Sequence, residues 1–152
     1  MRRIFPIFVL FLAGCPAEAP REAAPPPAEA IDWAAAFEHE VRYDAAKKAV
    51  VVDVKIAPGF HAYTVGETTG RPLKLSVDDP WKLGDVAYPK GLAKNLPIGK
   101  SVIVEGRASV VGPVTAPEAP PAKLTGAFNY QVCTDEACDR PRTAKFDVEA
   151  VR

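Results

Sequence analysis

Short runs of β-branched and apolar residues, separated by segments rich in proline and glycine, most restrict the possible folds of this chain. The run AVVVDVKI at residues 49–56 partly alternates between apolar and polar residues, as a strand with one buried face does. Pro58 and Gly59, just after this run, indicate a turn that ends the strand. The predicted strands are Ala49–Ile56, Leu73–Val77, Ser101–Val111, Leu124–Val132 and Ala144–Val151.

Turn-forming segments lie between these strands. They include Asp78-Asp79-Pro80, Tyr88-Pro89-Lys90-Gly91 and residues 112–121, which contain four prolines. Gly106 falls inside the third predicted strand, where an isolated glycine indicates a β-bulge. Residues 34–40, AAAFEHE, fit either a helical turn or the approach to a strand. Short strands at this spacing, without a convincing long helix, predict an all-β fold built as an antiparallel β-sandwich.

The composition suits one small domain and excludes several classes of function. The formal net charge is zero, with no concentrated basic patch, so no nucleic-acid partner is predicted. The sequence has no glycine-rich phosphate loop, no HExxH motif and no nucleophile elbow, so no cofactor is predicted either. The large aromatic residues Trp33, Trp81, Phe128 and Phe146 are expected to lie in the core.

The first 14 residues have the three parts of an export signal: a basic start, an apolar run and a small-residue cleavage region. The apolar run Ile4–Leu12 is far shorter than the about 20 residues of a membrane-spanning helix. The residues LAGC at 12–15 resemble the bacterial lipobox, in which cleavage precedes a cysteine that receives lipid. Residues 1–14 are therefore predicted to be a lipoprotein signal peptide, with Cys15 as the lipidation site. The alternative is an ordinary secretory signal with a cysteine in its cleavage region.

Residues 15–30 are predicted to be the lipidated Cys15 followed by a tether rich in proline and alanine. The segment PAEAPREAAPPPAEA has five prolines and almost no large apolar side chain, so it cannot bury enough surface to fold. A proline-rich chain extends about 3.1 Å per residue, which gives this segment a reach of roughly 45 Å. The folded domain is predicted to occupy residues 31–152.

Two of the three cysteines, Cys133 and Cys138, lie five positions apart. With Cys15 lipidated, they form the one possible pair in an exported protein, where disulfides persist. A tight turn between them would bring their Cα atoms within the roughly 4.4–6.8 Å that a disulfide requires. Closing so short a loop stabilises the fold by only about 2 kcal/mol, which weakly favours redox use over a structural staple.

A metal site is a third interpretation of the same two cysteines. A structural zinc site usually has four nitrogen or sulfur donors at close spacing. Only His39 and His61 are available as further donors of this kind, and neither stands close to another ligand in the sequence. No metal site is therefore predicted, whereas the redox pair and the structural staple both remain open.

Two segments resemble the amino-terminal domain of the thiol:disulfide interchange protein DsbD family. Residues 130–141, YQVCTDEACDRP, are similar to its cysteine-bearing segment, with Tyr-Gln before the first cysteine, an acidic turn, the second cysteine and a proline. Residues 58–63, PGFHAY, are similar to a glycine-aromatic-X-X-tyrosine segment beside those cysteines. The resemblance implies an immunoglobulin-like sandwich in the bacterial periplasm, with a cysteine pair that shuttles between dithiol and disulfide.

The resemblance also implies roles for individual residues. Cys138 would form the mixed disulfide with partner proteins, and Cys133 would resolve it. Tyr63, His61 and Tyr130 would lie near the pair, with His61 at a position where the family often has another aromatic residue.

A capping loop over the disulfide is a further implication of the resemblance. In the family this loop carries an aromatic tip, and the corresponding residues here are 90–99, KGLAKNLPIG, which contain no aromatic residue. Leu92 or Leu96 would then have to supply an apolar tip.

The implied partners are thioredoxin-like periplasmic proteins, as electron donor and acceptor. Because the sequence stops at Arg152 without a transmembrane carrier or a thioredoxin-like domain, we expect a stand-alone lipoprotein in the cell envelope, facing the periplasm, whose electron donor is a separate protein. The other function left open is a non-catalytic β-sandwich binding module whose disulfide only fixes a loop.

Overall fold

The computed structural model describes residues 31–66, 70–97 and 99–150. Within these residues the chain forms eleven β-strands and no helix, and so no helix that could cross a membrane. The strands are β1 (Phe37–Asp44), β2 (Ala49–Ile56), β3 (His61–Tyr63), β4 (Lys74–Val77), β5 (Lys82–Leu83), β6 (Leu92–Leu96), β7 (Gly99–Val104), β8 (Arg107–Thr115), β9 (Lys123–Tyr130), β10 (Val132–Cys133) and β11 (Arg142–Glu149). The predicted signal peptide, Cys15 and the tether lie outside the described residues.

The first sheet has the strand order β1-β2-β8-β5, and all of its strand pairs are antiparallel. Its central strand β2 has the bounds that its sequence pattern predicts. Alternate side chains of a strand project from the same face, so Val50, Val52, Val54 and Ile56 together enter the core. The first sheet thereby forms one wall of the main hydrophobic core.

The second sheet, β11-β9-β4, contributes to the same core. Phe128 on β9 is fully buried and lies between Leu75 on β4 and Ala144 on β11. Of the four predicted core aromatic residues, Phe128 and Trp81 are buried, and Trp33 and Phe146 are half-buried against the cluster. The predicted all-β, antiparallel organisation and the aromatic core are therefore confirmed.

The third sheet, β10-β3-β7-β6, has buried side chains on both of its faces. The main core receives Ala62, Val104 and Val132, whereas the opposite face bears a second buried cluster of Tyr63, Leu96, Ile103 and Cys133. We call this second group the site cluster. All three residues of β3 are buried, because successive side chains of a strand project to opposite faces and both faces of β3 are covered. The third sheet is therefore the layer that positions Cys133.

Two predicted strands are each divided in the structure. The predicted strand Ser101–Val111 becomes β7 and β8, which belong to different sheets. Gly106 is not a bulge but part of the turn between them, with a φ of +67°, and its carbonyl accepts a hydrogen bond from the amide of Ile56 at 2.8 Å. The predicted strand Leu124–Val132 is divided at Gln131 into β9 and β10. An apolar run does not show where the chain passes from one sheet to another.

The ambiguous segment at residues 34–40 contains both the end of a turn and the start of a strand. The carboxylate of Asp32 accepts hydrogen bonds from the amides of Ala34 and Ala35 at 3.0 and 3.1 Å. This side-chain cap stabilises a turn over residues 33–36, after which β1 begins at Phe37.

Replacement of Phe128 by alanine should reduce the free energy of unfolding by about 3–5 kcal/mol, because it leaves a cavity in the main core. Urea denaturation followed by tryptophan fluorescence measures the loss. Lys145→Ala on the neighbouring strand β11 is the control, since Lys145 is exposed and its replacement should change stability by less than about 0.5 kcal/mol. Equal effects of the two substitutions would contradict the described core.

Candidate functional site

Cys133 and Cys138 are joined by a disulfide across a short β-hairpin, with an S–S distance of 2.03 Å. Backbone hydrogen bonds flank the pair: the amide of Asp139 donates to the carbonyl of Val132, and the amide of Thr134 donates to that of Ala137, both at 2.8 Å. The cysteines thus form a non-hydrogen-bonded pair, the position at which antiparallel strands approach most closely. Their Cα atoms are accordingly 4.0 Å apart, slightly closer than the sequence predicted.

The turn between the cysteines is closed by Thr134. Its Oγ1 accepts hydrogen bonds from the amides of Glu136 and Ala137 at 3.3 and 3.1 Å. A hydroxyl that bonds the backbone two and three residues ahead favours a tight turn. Asp135 and Glu136 at the tip are exposed, so the hairpin presents an acidic end to solvent.

The two cysteines differ sharply in exposure. Cys133 ends β10 in the third sheet and is 0% exposed, whereas Cys138 lies on the returning arm of the hairpin and is exposed. A reacting protein must approach a disulfide sulfur from solvent, along the axis of the S–S bond. The arrangement makes Cys138 the accessible partner of the pair and Cys133 the protected one.

Tyr63 lies beneath the disulfide. Its hydroxyl is 4.0 Å from Cys138 Sγ, within hydrogen-bonding distance of sulfur, and its ring is buried in the site cluster. Gly70 packs its backbone directly on that ring, because a Cβ at Gly70 would lie only 2.1 Å from two ring carbons. A glycine is therefore required opposite Tyr63.

His61 lies directly opposite Cys133 in the pairing of β3 with β10. Its side chain is 1% exposed, its ring meets that of Tyr63 edge-on at 5.4 Å, and its Nδ1 is 3.9 Å from a carboxylate oxygen of Asp135. Within the part of the chain that the structure describes, Nε2 of His61 is buried without a hydrogen-bond partner. Burial lowers the pKa of His61, and the negative charge of Asp135 partly opposes this effect.

Lys94 on β6 connects the sheet to the cysteine turn. Its Nζ donates to Asp135 at 3.1 Å and to Glu105 at 3.3 Å. These two carboxylates raise the pKa of Lys94 above its ordinary value. Sequence reasoning missed Lys94, because its partners are distant in the chain and no local pattern indicates that β6 lies beside the hairpin.

Residues 90–99, which the resemblance matched to a capping loop, contain β6 (Leu92–Leu96), the edge strand of the third sheet, and end where β7 begins. Leu96 at the end of β6 is 8% exposed and belongs to the site cluster with Cys133. Leu92 at its start is 62% exposed. The apolar side chain that this segment contributes to the site cluster is therefore Leu96, and not Leu92.

Gln131 holds the hairpin to the rest of the domain. Its amide nitrogen donates to the carbonyl of Asp139 at 2.9 Å, and its amide oxygen accepts from the amide of Arg71 at 3.1 Å. The carboxylate of Asp139 in turn accepts from the guanidinium of Arg142. The Tyr-Gln pair quoted in the sequence motif was the available signal for this residue, but the motif did not reveal its partners.

Tyr130 packs in the main core rather than in the site cluster. Its ring stacks on that of Phe37 with the centroids 4.2 Å apart, and burial raises its pKa. His39 is exposed on β1. Among the residues described here, no three His, Cys, Asp or Glu side chains are grouped so that they could hold a metal ion.

The described architecture is an immunoglobulin-like β-sandwich that carries a disulfide hairpin at one of its sheets. The sequence model of the family described as "Thiol:disulfide interchange protein DsbD, N-terminal" matches residues 28–150. The chain belongs to this family.

Solved structures with the same fold include the DsbD N-terminal domain of Neisseria meningitidis in its reduced form. That domain has 23% sequence identity and a TM-score of 0.61, over 76% of this chain and 86% of the other. A complex of the DsbD and PilB N-terminal domains from the same organism gives 22% identity and a TM-score of 0.59, over 79% and 88% of the chains. The N-terminal periplasmic domain of ScsB from Proteus mirabilis has 12% sequence identity and a TM-score of 0.55, over 74% of this chain and 45% of the other. No curated protein sequence matches this chain.

Single-cysteine variants should react at very different rates with a maleimide. We expect Cys138 in Cys133→Ser to be labelled at least about tenfold faster than Cys133 in Cys138→Ser, because Cys133 lies within the site cluster and Cys138 is exposed. Mass spectrometry of quenched samples measures both rates, and labelling in urea shows that each thiol is intact. Equal rates in the folded variants would contradict the described burial.

Proposed function

We propose that this protein exchanges disulfides with protein partners through the Cys133–Cys138 pair, and that Cys138 is the sulfur that partners reach. The observation that carries the proposal is the unequal exposure of the two cysteines within one disulfide. A disulfide that served only to fix the loop would not require one member to be exposed. Membership of a thiol:disulfide interchange family supports the same conclusion.

The proposed reaction has two steps. In the reduced form, the Cys138 thiolate attacks a sulfur of the partner's disulfide, so that a mixed disulfide forms and one partner thiolate leaves. Cys133 then loses its proton and attacks Cys138 Sγ, which forms the intramolecular disulfide and releases the second partner thiol. The pair gives up two electrons and two protons, and the partner disulfide gains them. Reversal of both steps re-reduces the pair from a donor dithiol.

The proposed setting is the bacterial periplasm, with the domain tethered to a membrane through lipid on Cys15. Support comes from the export-type start of the sequence and from the likeness to a domain of ScsB that is periplasmic. The proposed partners are thioredoxin-like proteins, as donor and acceptor. The solved complex of a DsbD N-terminal domain with a PilB N-terminal domain supports a protein as the partner.

A trapping experiment tests which cysteine reacts. A monothiol variant of bacterial thioredoxin, activated as a mixed disulfide with thionitrobenzoate, is added to each reduced single-cysteine variant. Cys133→Ser should form the protein–protein disulfide through Cys138, because the resolving thiol is missing. Cys138→Ser should form it at least about tenfold more slowly, because Cys133 is buried. The product is read on non-reducing gels, and preferential trapping through Cys133 would overturn the proposed roles.

A redox titration separates this function from that of a binding module. The midpoint potential of the pair in glutathione buffers should fall between about −180 and −270 mV, the range of disulfide-exchange proteins, whereas structural disulfides lie below about −300 mV. Thiol labelling gives the reduced fraction. A midpoint below that limit, together with unchanged partner affinity in the variant Cys133→Ala/Cys138→Ala, would instead establish a non-catalytic module.

A further inference from the structure

His61 stands out as a buried titratable group that the two-step scheme does not use. Its side chain is 1% exposed, and its Nε2 is buried without a hydrogen-bond partner among the described residues. A buried polar atom left unpaired is destabilising, so such an atom needs an explanation. The neighbouring reactive cysteine provides one.

The pairing of the strands brings His61 and Cys133 together. They are directly opposite residues of β3 and β10, and in an antiparallel sheet such residues project from the same face with Cβ atoms about 4.5–5.5 Å apart. Cys133 is also 0% exposed in the disulfide form, so its sulfur lies away from solvent. The proton that Cys133 must lose before it can attack Cys138 therefore needs an acceptor inside the protein.

The surroundings of His61 suit a base that becomes charged only briefly. The carboxylate of Asp135 lies 3.9 Å from Nδ1 of His61. It would stabilise an imidazolium there, as the aspartate carboxylate does in a Ser-His-Asp triad. Lys94 bridges Asp135 and Glu105 and limits that stabilisation, and Tyr63 meets the ring edge-on. Because burial lowers the pKa of His61, the ring is neutral near pH 7 and can accept a proton.

We propose that His61 is the general base for Cys133, taking the thiol proton on Nε2 as Cys133 resolves the mixed disulfide. The Cys133 Sγ–Cys138 Sγ bond forms, the bond between Cys138 Sγ and the partner sulfur breaks, and its electron pair leaves with the partner as thiolate. In the reverse direction, the imidazolium returns the proton to Cys133 as that sulfur leaves. This inference rests on the proposed disulfide exchange and adds the path of its proton.

The test uses oxidised glutathione as the disulfide, with the purified reduced chain. Quenched-flow mass spectrometry follows first the glutathione adduct on Cys138 and then its loss as the intramolecular disulfide forms. For His61→Gln, the second step at pH 7 should slow by about 100-fold, the usual contribution of a general base, while adduct formation stays within about twofold. His39→Gln is the matched control, because His39 is exposed on β1. Unchanged resolution in folded His61→Gln would overturn the proposal.

Asp135→Asn keeps the test decisive if His61→Gln fails to fold. Asp135 raises the pKa of His61, so its removal should lower that pKa and move the acidic limb of the resolution rate to lower pH. Proton NMR titration gives the pKa of His61 independently. The acidic limb of the resolution rate should lie below about pH 6.5 and should shift together with that pKa in the variant. Glu136→Gln, at the exposed turn, should move neither. A limb that stays while the His61 titration moves would overturn the role of His61.

The outcomes also separate this inference from the function on which it rests. If the adduct forms and resolves at the same rate in all variants, disulfide exchange stands and the role of His61 is wrong. If the wild-type chain forms no adduct and no disulfide with glutathione at any pH, the exchange function itself is wrong.

Discussion

Burial of the third sheet on both faces is the constraint on which the candidate site depends. One face joins the main core through Ala62, Val104 and Val132, and the other bears the site cluster. Because strand side chains alternate, a slip of one residue between β3 and β10 would exchange the two sets and turn Cys133 towards the main core. The apolar residues that face the main core thereby fix the register that places Cys133 opposite His61.

The difference between the two cysteines follows from the same geometry. Cys133 is the last residue of a strand, so its burial is set by the sheet, whereas Cys138 lies on the returning arm of the hairpin, outside the named strands, and is exposed. The hairpin is nevertheless held from three sides, by Thr134 within the turn, by Gln131 at its base and by Lys94 from the edge strand. A site built in this way can expose one sulfur without loosening the other, which a two-step exchange with defined roles requires.

The sequence predicted those features that depend on local periodicity or on a local motif. The pattern of β2 gave its bounds, and the alternation of short strands with turns gave the fold class. What could not be predicted depends on contacts between distant segments. The change of sheet at Gly106 follows from pairing with separate partners, and residues 90–99, which the family resemblance implied to be a loop, contain the strand β6. Its partner β7 supplies the backbone hydrogen bonds that make it a strand.

The candidate site shows the same division. Its cysteines were evident from their spacing, and the PGFHAY motif indicated Tyr63 and His61, but Tyr130 of the cysteine-bearing motif is half-buried against the main core. In a strand, residues an odd number of positions apart project from opposite faces, and Tyr130 also precedes the break between two sheets at Gln131. Proximity in the sequence therefore does not place Tyr130 with Cys133. Lys94 is far from the cysteines in sequence, and β6 and β10 are opposite edges of the third sheet, yet the Lys94 side chain reaches Asp135 in the turn of the hairpin. Asp135 thus has a cation beside it as well as the imidazole of His61, so the charge next to the cysteine pair is set by β3, β6, the β7–β8 connection and the cysteine turn together.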